Sequence, residues 1–321
     1  MKRNQLRRKI DRLAGRYFMF VCVAIVRLLP HRGAYLFARG VGRFAFFAAR
    51  KHRKLAINNL KLAFGDSITP EKRFDIARET FCSITWGAAE TARLALAKDV
   101  DVCLKRNISI EGKRNLDRAL GKGKGAIFIS AHFGNFTLMA RRLNLEGYDF
   151  NLIMRFADDP GAMRLWADIM NRIGIKAISA RPKRKAAVKS LKWLKSGRPI
   201  FFHTDQNKTD GEYVDFFGHP AGTAEGPARL HIRTGSPILC AFIVRLDDKR
   251  HKIIITPELK IKLSNDEKEN VHRITQAYTK VIEQFVRMYP EQWWWLHNRW
   301  KGMKKRQQAK KNKVRGVAQL G

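Results

Sequence analysis

The sequence predicts an α/β fold: a largely parallel sheet flanked by helices, preceded by an N-terminal helical region that docks on a membrane. Three observations carry that expectation. From about residue 108, short runs rich in β-branched and aromatic residues alternate with longer amphipathic segments, the pattern of strands joined by crossover helices. Two of the short runs, GAIFISA (125–131) and PILCAFIVRL (237–246), are apolar almost throughout, as strands covered on both faces are. The N-terminal region instead mixes basic residues with apolar stretches too short to span a bilayer.

MKRNQLRRKIDRLAGR (1–16) holds seven Lys/Arg and one acid. The apolar run YFMFVCVAIV (17–26) follows and ends at Arg27. Ten residues are about half of what a helix needs to cross the hydrocarbon. LLPHRGAY, next in line, offers no small-x-small cleavage site for a secretory signal. GAYLFARGVGRFAFFAARKHRK (33–54) is apolar but punctuated by Arg39, Arg43 and Arg50. Apolar bodies with arginine heads suit a helix lying in the bilayer interface, or a short uncleaved anchor. Residues 1–52 therefore read as a basic N-terminus and membrane-associated helix, 53–300 as the main α/β domain and 301–321 as a basic, disordered tail.

Helices are expected first. RKLAINNLKLAF (53–64) places Leu55, Asn59 and Leu62 at helical spacing; GDSITPEKR (65–73) supplies a turn, a Ser/Thr cap and a proline start; ARETFCSITWGAAETARLAL continues the second helix. Then come a strand at ISIEG, a helix at KRNLDRAL stopped by GKGKG, and the buried strand GAIFISA. GNFTLMARRLNLEG reads as a helix closed by Gly147, NLIMR as a strand, MRLWADIMNRIG as a helix and KAIS as a strand. KRKAAVKSLKWLKSG is the next helix, RPIFFHTD a strand and PARLHIRTG helical. PILCAFIVRL and HKIIITPELKI (251–261) are strands, and DEKENVHRITQAYTKVIEQFVRMYP (266–290) is a long closing helix. Ligands of such sheets bind at the carboxyl ends of the strands, where His132, Arg155 and Asp205 are expected.

Charge narrows the function. The chain carries 64 Lys+Arg against 28 Asp+Glu, net +36. The two tails account for +6 and +8, so the folded part is itself strongly basic and an anionic partner is implied. Between Asp168 and Asp205 there are ten Lys/Arg and no acid, and Ala186, Val188, Leu191 and Leu194 suggest an apolar side with a basic ridge opposite. Nucleic acid is one use for such charge, but there is no RNP, KH, zinc-finger or clear helix-turn-helix signature, and the apolar N-terminal run has no use there. Cys22, Cys82, Cys103 and Cys240 form no CxxC, which argues for a reducing compartment and against a disulfide framework. No His/Cys/Asp cluster has ligand spacing, so no metal or other cofactor is implied.

SAHFGNFTLMA (130–140) is the candidate centre. His132 sits where a strand turns into a helix, whose N-terminal partial charge disfavours protonation, and a neutral imidazole can act as a base. Gly134 behind it would let the chain approach a substrate closely. Asn135 fits either a turn or a donor to an oxyanion.

Together with HTDQNKTDGEYVDFFGHPAGTAEGPARL (203–230), HFGN resembles the bacterial lipid A late acyltransferases of the lysophospholipid acyltransferase superfamily. RKLAINNLKLAF, IMRF, MNRIGIKAI and PEQWWWLHNRWK add to the resemblance, which runs from about residue 50 to 301. It implies transfer of a fatty acyl chain from acyl carrier protein, or from CoA, to a hydroxyl of a membrane glycolipid or lysolipid. The implied location is the cytoplasmic face of the inner membrane, peripherally or through one N-terminal anchor. The basic ridge would suit either an acidic carrier protein or anionic head groups. In the family an H-x4-D/E motif pairs a histidine base with an acid that stabilises the imidazolium. His132 matches the base. Arg155 and Arg172, with Arg164 a weaker match, fall where the family has arginines, which would pair with an acceptor phosphate or a developing oxyanion. The four tryptophans of WWWLHNRWK (293–301) suit a membrane belt, with core packing for some of them.

The acid is missing: its position is Thr137. A hydroxyl can bond an imidazole but brings no charge, and loss of an orienting acid costs on the order of 10⁴-fold in the serine-protease triad. Three readings stay open. Another carboxylate substitutes, Asp205 first, with Asp158 and Glu90 behind it; the enzyme is slow; or the chain is a lipid-binding homologue that kept the fold and lost its chemistry.

Overall fold

The computed structural model describes residues 2–94, 99–155 and 160–302. Four helices come first: α1 (Lys2–Leu28), α2 (His31–Ala48), α3 (Arg50–Phe64) and α4 (Pro70–Leu94). The stretch expected as one helix over 33–54 is two, because the chain breaks at Ala49 (φ −85°, ψ 60°). Arg53 stabilises the elbow by donating to the last carbonyls of α2, Phe46 O at 3.1 Å and Phe47 O at 2.9 Å. The start of α4 follows expectation, with Thr69 Oγ1 accepting from Lys72 N and Pro70 as the first helical residue.

Ala34, Ala38, Gly42 and Phe46 recur every four residues and form the buried stripe of α2 against α4. At Gly42 a β-carbon would lie 2.6 Å from Thr85 Oγ1 and 2.7 Å from Cys82 Cα, so only glycine allows this approach. Leu36, Phe44 and Phe47 on the outer face stay exposed, as do Tyr17, Phe18, Phe20 and Leu28 of α1. Among the described residues no helix is long and apolar enough to cross a membrane, so the anchor considered from the sequence finds no support.

The α/β part then follows: α5 (Val100–Asn107), β1 (Ile108–Glu111), α6 (Lys113–Leu120), β2 (Ala126–Ser130), α7 (Phe136–Asn144), β3 (Asn151–Met154), α8 (Pro160–Arg172), β4 (Lys176–Ser179), α9 (Lys183–Lys195) and β5 (Pro199–His203). After these come β6 (Glu212–Phe216), β7 (His219–Thr223), α10 (Gly226–Thr234), β8 (Ile238–Arg245), β9 (His251–Ile255) and α11 (Glu267–Met288). Seven strands form one sheet in the order β1–β9–β8–β2–β5–β3–β4, with every pair parallel except β8–β9. β2 lies at its centre and all five of its residues are buried. Alternation sends Ile127 and Ile129 to the face that also holds Ile274, Tyr278 and Ile282 of α11, and Phe128 to the other, against Phe150 and Phe201.

Three boundaries differ from the sequence reading. α5 was not anticipated. β9 ends at Ile255 rather than running on to residue 261, since Pro257 has no N–H for a ladder. Residues 212–223, to which the sequence reading assigns no element, form an antiparallel hairpin whose two-residue turn is Phe217–Gly218, with φ of 57° and 76°. Two positive φ angles match a type I′ turn. Burial of Phe217 and the Arg287 guanidinium 4.3 Å above its ring help offset that strained backbone.

Candidate active site

Register builds the site. β2 and β5 pair in parallel with Ser130 opposite His203, so the residues two further along, His132 and Asp205, leave the carboxyl edge of the sheet side by side. His132 Nδ1 lies 2.8 Å from Asp205 Oδ1. The other oxygen, Oδ2, accepts from the His132 backbone N–H at 2.9 Å and from the Trp293 indole at 2.8 Å. Asp205 is almost wholly buried, whereas 24% of the His132 side chain reaches solvent. A buried carboxylate with three donors stays ionised, and the imidazole and its hydrogen bonds hold its pKa well below the usual range despite desolvation.

Asp205 also sets the protonation of the imidazole. Burial alone would push His132 down, but the adjacent carboxylate and its hydrogen bond raise its pKa above 6.5. The lowering expected from the helix N-terminus is therefore reversed, because a full charge in contact outweighs a partial one a turn away. Neutral His203 packs beside it, ring centroids 4.9 Å apart, its own pKa driven to about 3 by burial and by His132. Gln206 Nε2 lies 3.3 Å from His132 Nε2. With Nδ1–H donated to Asp205, Nε2 keeps its lone pair toward the open side and accepts from the Gln206 amide.

The C-terminal segment closes the histidine turn. Trp294 N donates to His132 O (3.1 Å), Gly134 N to Gln292 O (2.9 Å), and Phe133 bridges Trp293. Gly134 has φ of 55°, and a β-carbon there would meet Ile243 O at 2.1 Å. Its missing side chain thus makes room for the neighbouring strand, not for a substrate.

The protein-family model of the "bacterial lipid A biosynthesis acyltransferase" matches residues 1–302. The chain belongs to that family. It is an acyltransferase, similar at 25% identity over 279 residues to the lipid A biosynthesis palmitoleoyltransferase of Escherichia coli (strain K12), covering 85% of this chain and 86% of the relative. The lauroyltransferase of the same organism is also 25% identical, over 86% of this chain and 88% of its own. A phosphatidylinositol mannoside acyltransferase of Mycobacterium tuberculosis (strain CDC 1551 / Oshkosh) is 26% identical over 60% of this chain and 59% of its own.

The other residues singled out from this acyltransferase sequence fall in different places. Thr137, at the acid's position in the family motif, is buried and its hydroxyl lies 3.4 Å from that of Thr91. Glu90 is committed to a bidentate pair with Arg245, both contacts 2.6 Å, and Asp158 lies outside the described residues. Asn135 caps α7 by accepting from Leu138 N, and its amide donates to Gly87 O and Glu90. That commitment removes it as an oxyanion donor. Arg155 stays at the carboxyl edge: Ile153 pairs with Phe202, which sets Arg155 level with Thr204. Arg172 ends α8 four residues before β4 begins, so the crossover carries it to the opposite edge, and Arg164 is exposed in the second turn of α8. Val188 is 48% exposed; the inner stripe of α9 runs instead through Ala186, Ser190, Trp193 and Leu194.

Sequence reasoning missed His203, Gln206 and the Trp293–Asp205 bond. The tryptophan run signalled something, but the membrane-belt reading fits only Trp294, since Trp293, Trp295 and Trp300 are buried. Arg299 is buried too, donating to Gly222 O and Thr223 Oγ1 and lying over Phe216, with burial lowering it to about 10. It ties the β6–β7 hairpin to the segment that carries Trp293.

Proposed function

We propose that the protein transfers a fatty acyl chain from a thioester donor to a hydroxyl of a membrane glycolipid or lysolipid, in or close to lipid A biosynthesis, with His132 as general base and Asp205 as the acid partner. The observation that carries this reading is the 2.8 Å contact between His132 Nδ1 and Asp205 Oδ1 in a chain whose motif acid is Thr137. His132 Nε2 removes the acceptor's proton, displacing Gln206; the oxygen attacks the thioester carbonyl, an ester C–O bond forms and the C–S bond breaks. The proton then passes from Nε2 to the departing sulfur. Asp205 stabilises the imidazolium between the two transfers. Arg155, on the same edge, supplies positive charge for an acceptor phosphate.

Two further features support the setting. Lys185, Lys189, Lys192 and Lys195 are exposed along α9, a basic ridge suited to an acidic acyl carrier protein as donor. The exposed aromatics of α1 and α2, among arginines, suit peripheral attachment to the cytoplasmic face of the inner membrane.

The test is transfer of labelled acyl chain from acyl carrier protein or acyl-CoA into a bacterial lipid extract, with the product read by mass spectrometry. His132→Ala is expected to abolish the product. Asp205→Asn is expected to lower the rate by on the order of 10⁴-fold, as amidating the orienting acid does in a Ser-His-Asp triad. Full activity in Asp205→Asn would end its assignment, and no product from the wild type would return the chain to lipid binding alone. Reversing Lys185, Lys189 and Lys192 to Glu is expected to weaken the carrier-protein donor while sparing short acyl-CoA; unchanged affinity for the carrier rejects that use of α9.

A further inference from the structure

A groove of about 330 Å³ runs between the α2–α3 elbow, α4 and the tryptophan segment. Ala45 and Ala49 line it from the elbow, Phe81 and Ile84 from α4, and Trp294 and Leu296 from the C-terminal side. Gly42 draws α2 onto α4 at one end, and the two alanines then leave open the space that larger side chains would fill. The walls are mostly hydrocarbon, with His52 and Thr85 as the polar residues among them.

Its position limits what it holds. At the inner end, the Trp294 ring lies edge-on to the His132 imidazole, centroids 6.3 Å apart. Ile84 is one turn before Gly87, which sits against Asn135, so α4 carries the floor of the groove up to the histidine turn. At the outer end Ala45 adjoins Phe44, which with Phe47 and Leu36 is left exposed on the outer face of α2. The groove therefore runs from the apolar outer surface to Trp294, the ring that lies beside the imidazole. Its elbow is also basic: Arg43, Arg50, Lys51 and Lys54 are exposed, and no acidic residue occurs between Asp11 and Asp66.

We propose that this groove takes one hydrocarbon chain of an anionic acceptor lipid, which enters from the α1–α2 face and is held so that its hydroxyl meets His132. This rests on the acyltransferase reading above. The acceptor fits better than the donor because the groove opens where apolar and basic residues share one surface, as an anionic lipid in a bilayer requires. Each methylene buried strengthens binding about fourfold, so a few suffice to hold an acceptor in place.

The experiment reads binding apart from chemistry. The probe is a lysophosphatidylglycerol with one brominated acyl chain, whose bromines quench tryptophan fluorescence at short range. The wild type is expected to be quenched, and Trp294→Phe to lose most of that quenching, because Trp294 is the exposed ring of its run. Ala45→Phe and Ala49→Leu, two independent ways of filling the groove, are expected to weaken binding at least about tenfold, the effect of excluding two methylenes. In the transfer assay the same variants are expected to raise the acceptor KM and leave the donor chain-length preference unchanged. Quenching equal to wild type in both filled variants overturns the proposal. So does a shifted donor preference with an unchanged acceptor KM, which would give the groove to the donor chain. His132→Ala is expected to keep the quenching, so a failure of the catalytic reading and a failure of the groove give different results.

Discussion

Both oxygens of Asp205 are engaged at the histidine turn, Oδ1 by the imidazole and Oδ2 by the His132 amide and the Trp293 indole. Held from two sides at Oδ2, the carboxylate cannot rotate away when Nδ1 changes its charge state. The pH dependence follows. A base must be neutral, and the His132 pKa lies above 6.5, so kcat/KM is expected to rise with pH through that raised value. Asp205→Asn should move the midpoint down, since burial then acts unopposed. Trp293→Phe should move it up, because no indole N–H draws charge from the carboxylate, and activity lost at neutral pH should partly return on raising the pH. A purely structural role for Trp293 would lower the rate at every pH with the midpoint unmoved. Of these residues the sequence exposed the proposed base, through a histidine at a strand end, and ranked Asp205 first among replacements because it ends another strand. The indole and Gln206 were illegible: Trp293 reaches Asp205 from 88 residues along the chain and Gln206 reaches His132 from 74, which no local spacing encodes.

At the level of elements, α2 and α4 are held together by a stripe of small residues whose tightest point is Gly42. Gly42→Leu forces the helices apart and should destabilise the fold by about 1–3 kcal/mol, seen as a lowered midpoint in chemical denaturation with an unchanged slope. No change in midpoint would mean that the helices part without cost. The central strands β2 and β8 were legible because both of their faces are covered, which makes them plain apolar runs, and most helices were legible from their stripes and caps. The β6–β7 hairpin was not. Its turn uses Phe217 with a positive φ where Asn or Gly is usual, so the ordinary hairpin signal is absent and tertiary contacts to Glu283 and Arg287 hold it instead. The elbow at Ala49 was hidden for a related reason, since neither Gly nor Pro marks it and an arginine side chain caps it.

Over the whole molecule, exposed charge is widespread, and at the α2–α3 elbow it adjoins exposed apolar surface. The +36 charge provides long-range attraction to any anionic surface, and the exposed rings of α1 and α2 provide a short-range hold once contact is made. Co-sedimentation with phosphatidylglycerol vesicles should therefore weaken as salt rises and the Debye length falls below about 10 Å. Phe44→Asp with Phe47→Asp should cost at least about tenfold in vesicle affinity at any salt, from the loss of two buried rings. A double variant that still sediments as the wild type does would remove this face from membrane attachment. The strength of the charge was plain from composition. Its division between the exposed lysines of α9 and the basic α2–α3 elbow emerges only once the helices are arranged around the sheet.

The clamp on Asp205 also has a bearing on when the protein becomes competent. Strands β2 and β5 align His132 with Asp205, but the indole that secures the pair, the backbone partners of residues 132 to 134 and the arginine that ties down the hairpin all lie between residues 292 and 299. The proposed base is thus secured only after residues 292–299 have been made and packed against the histidine turn.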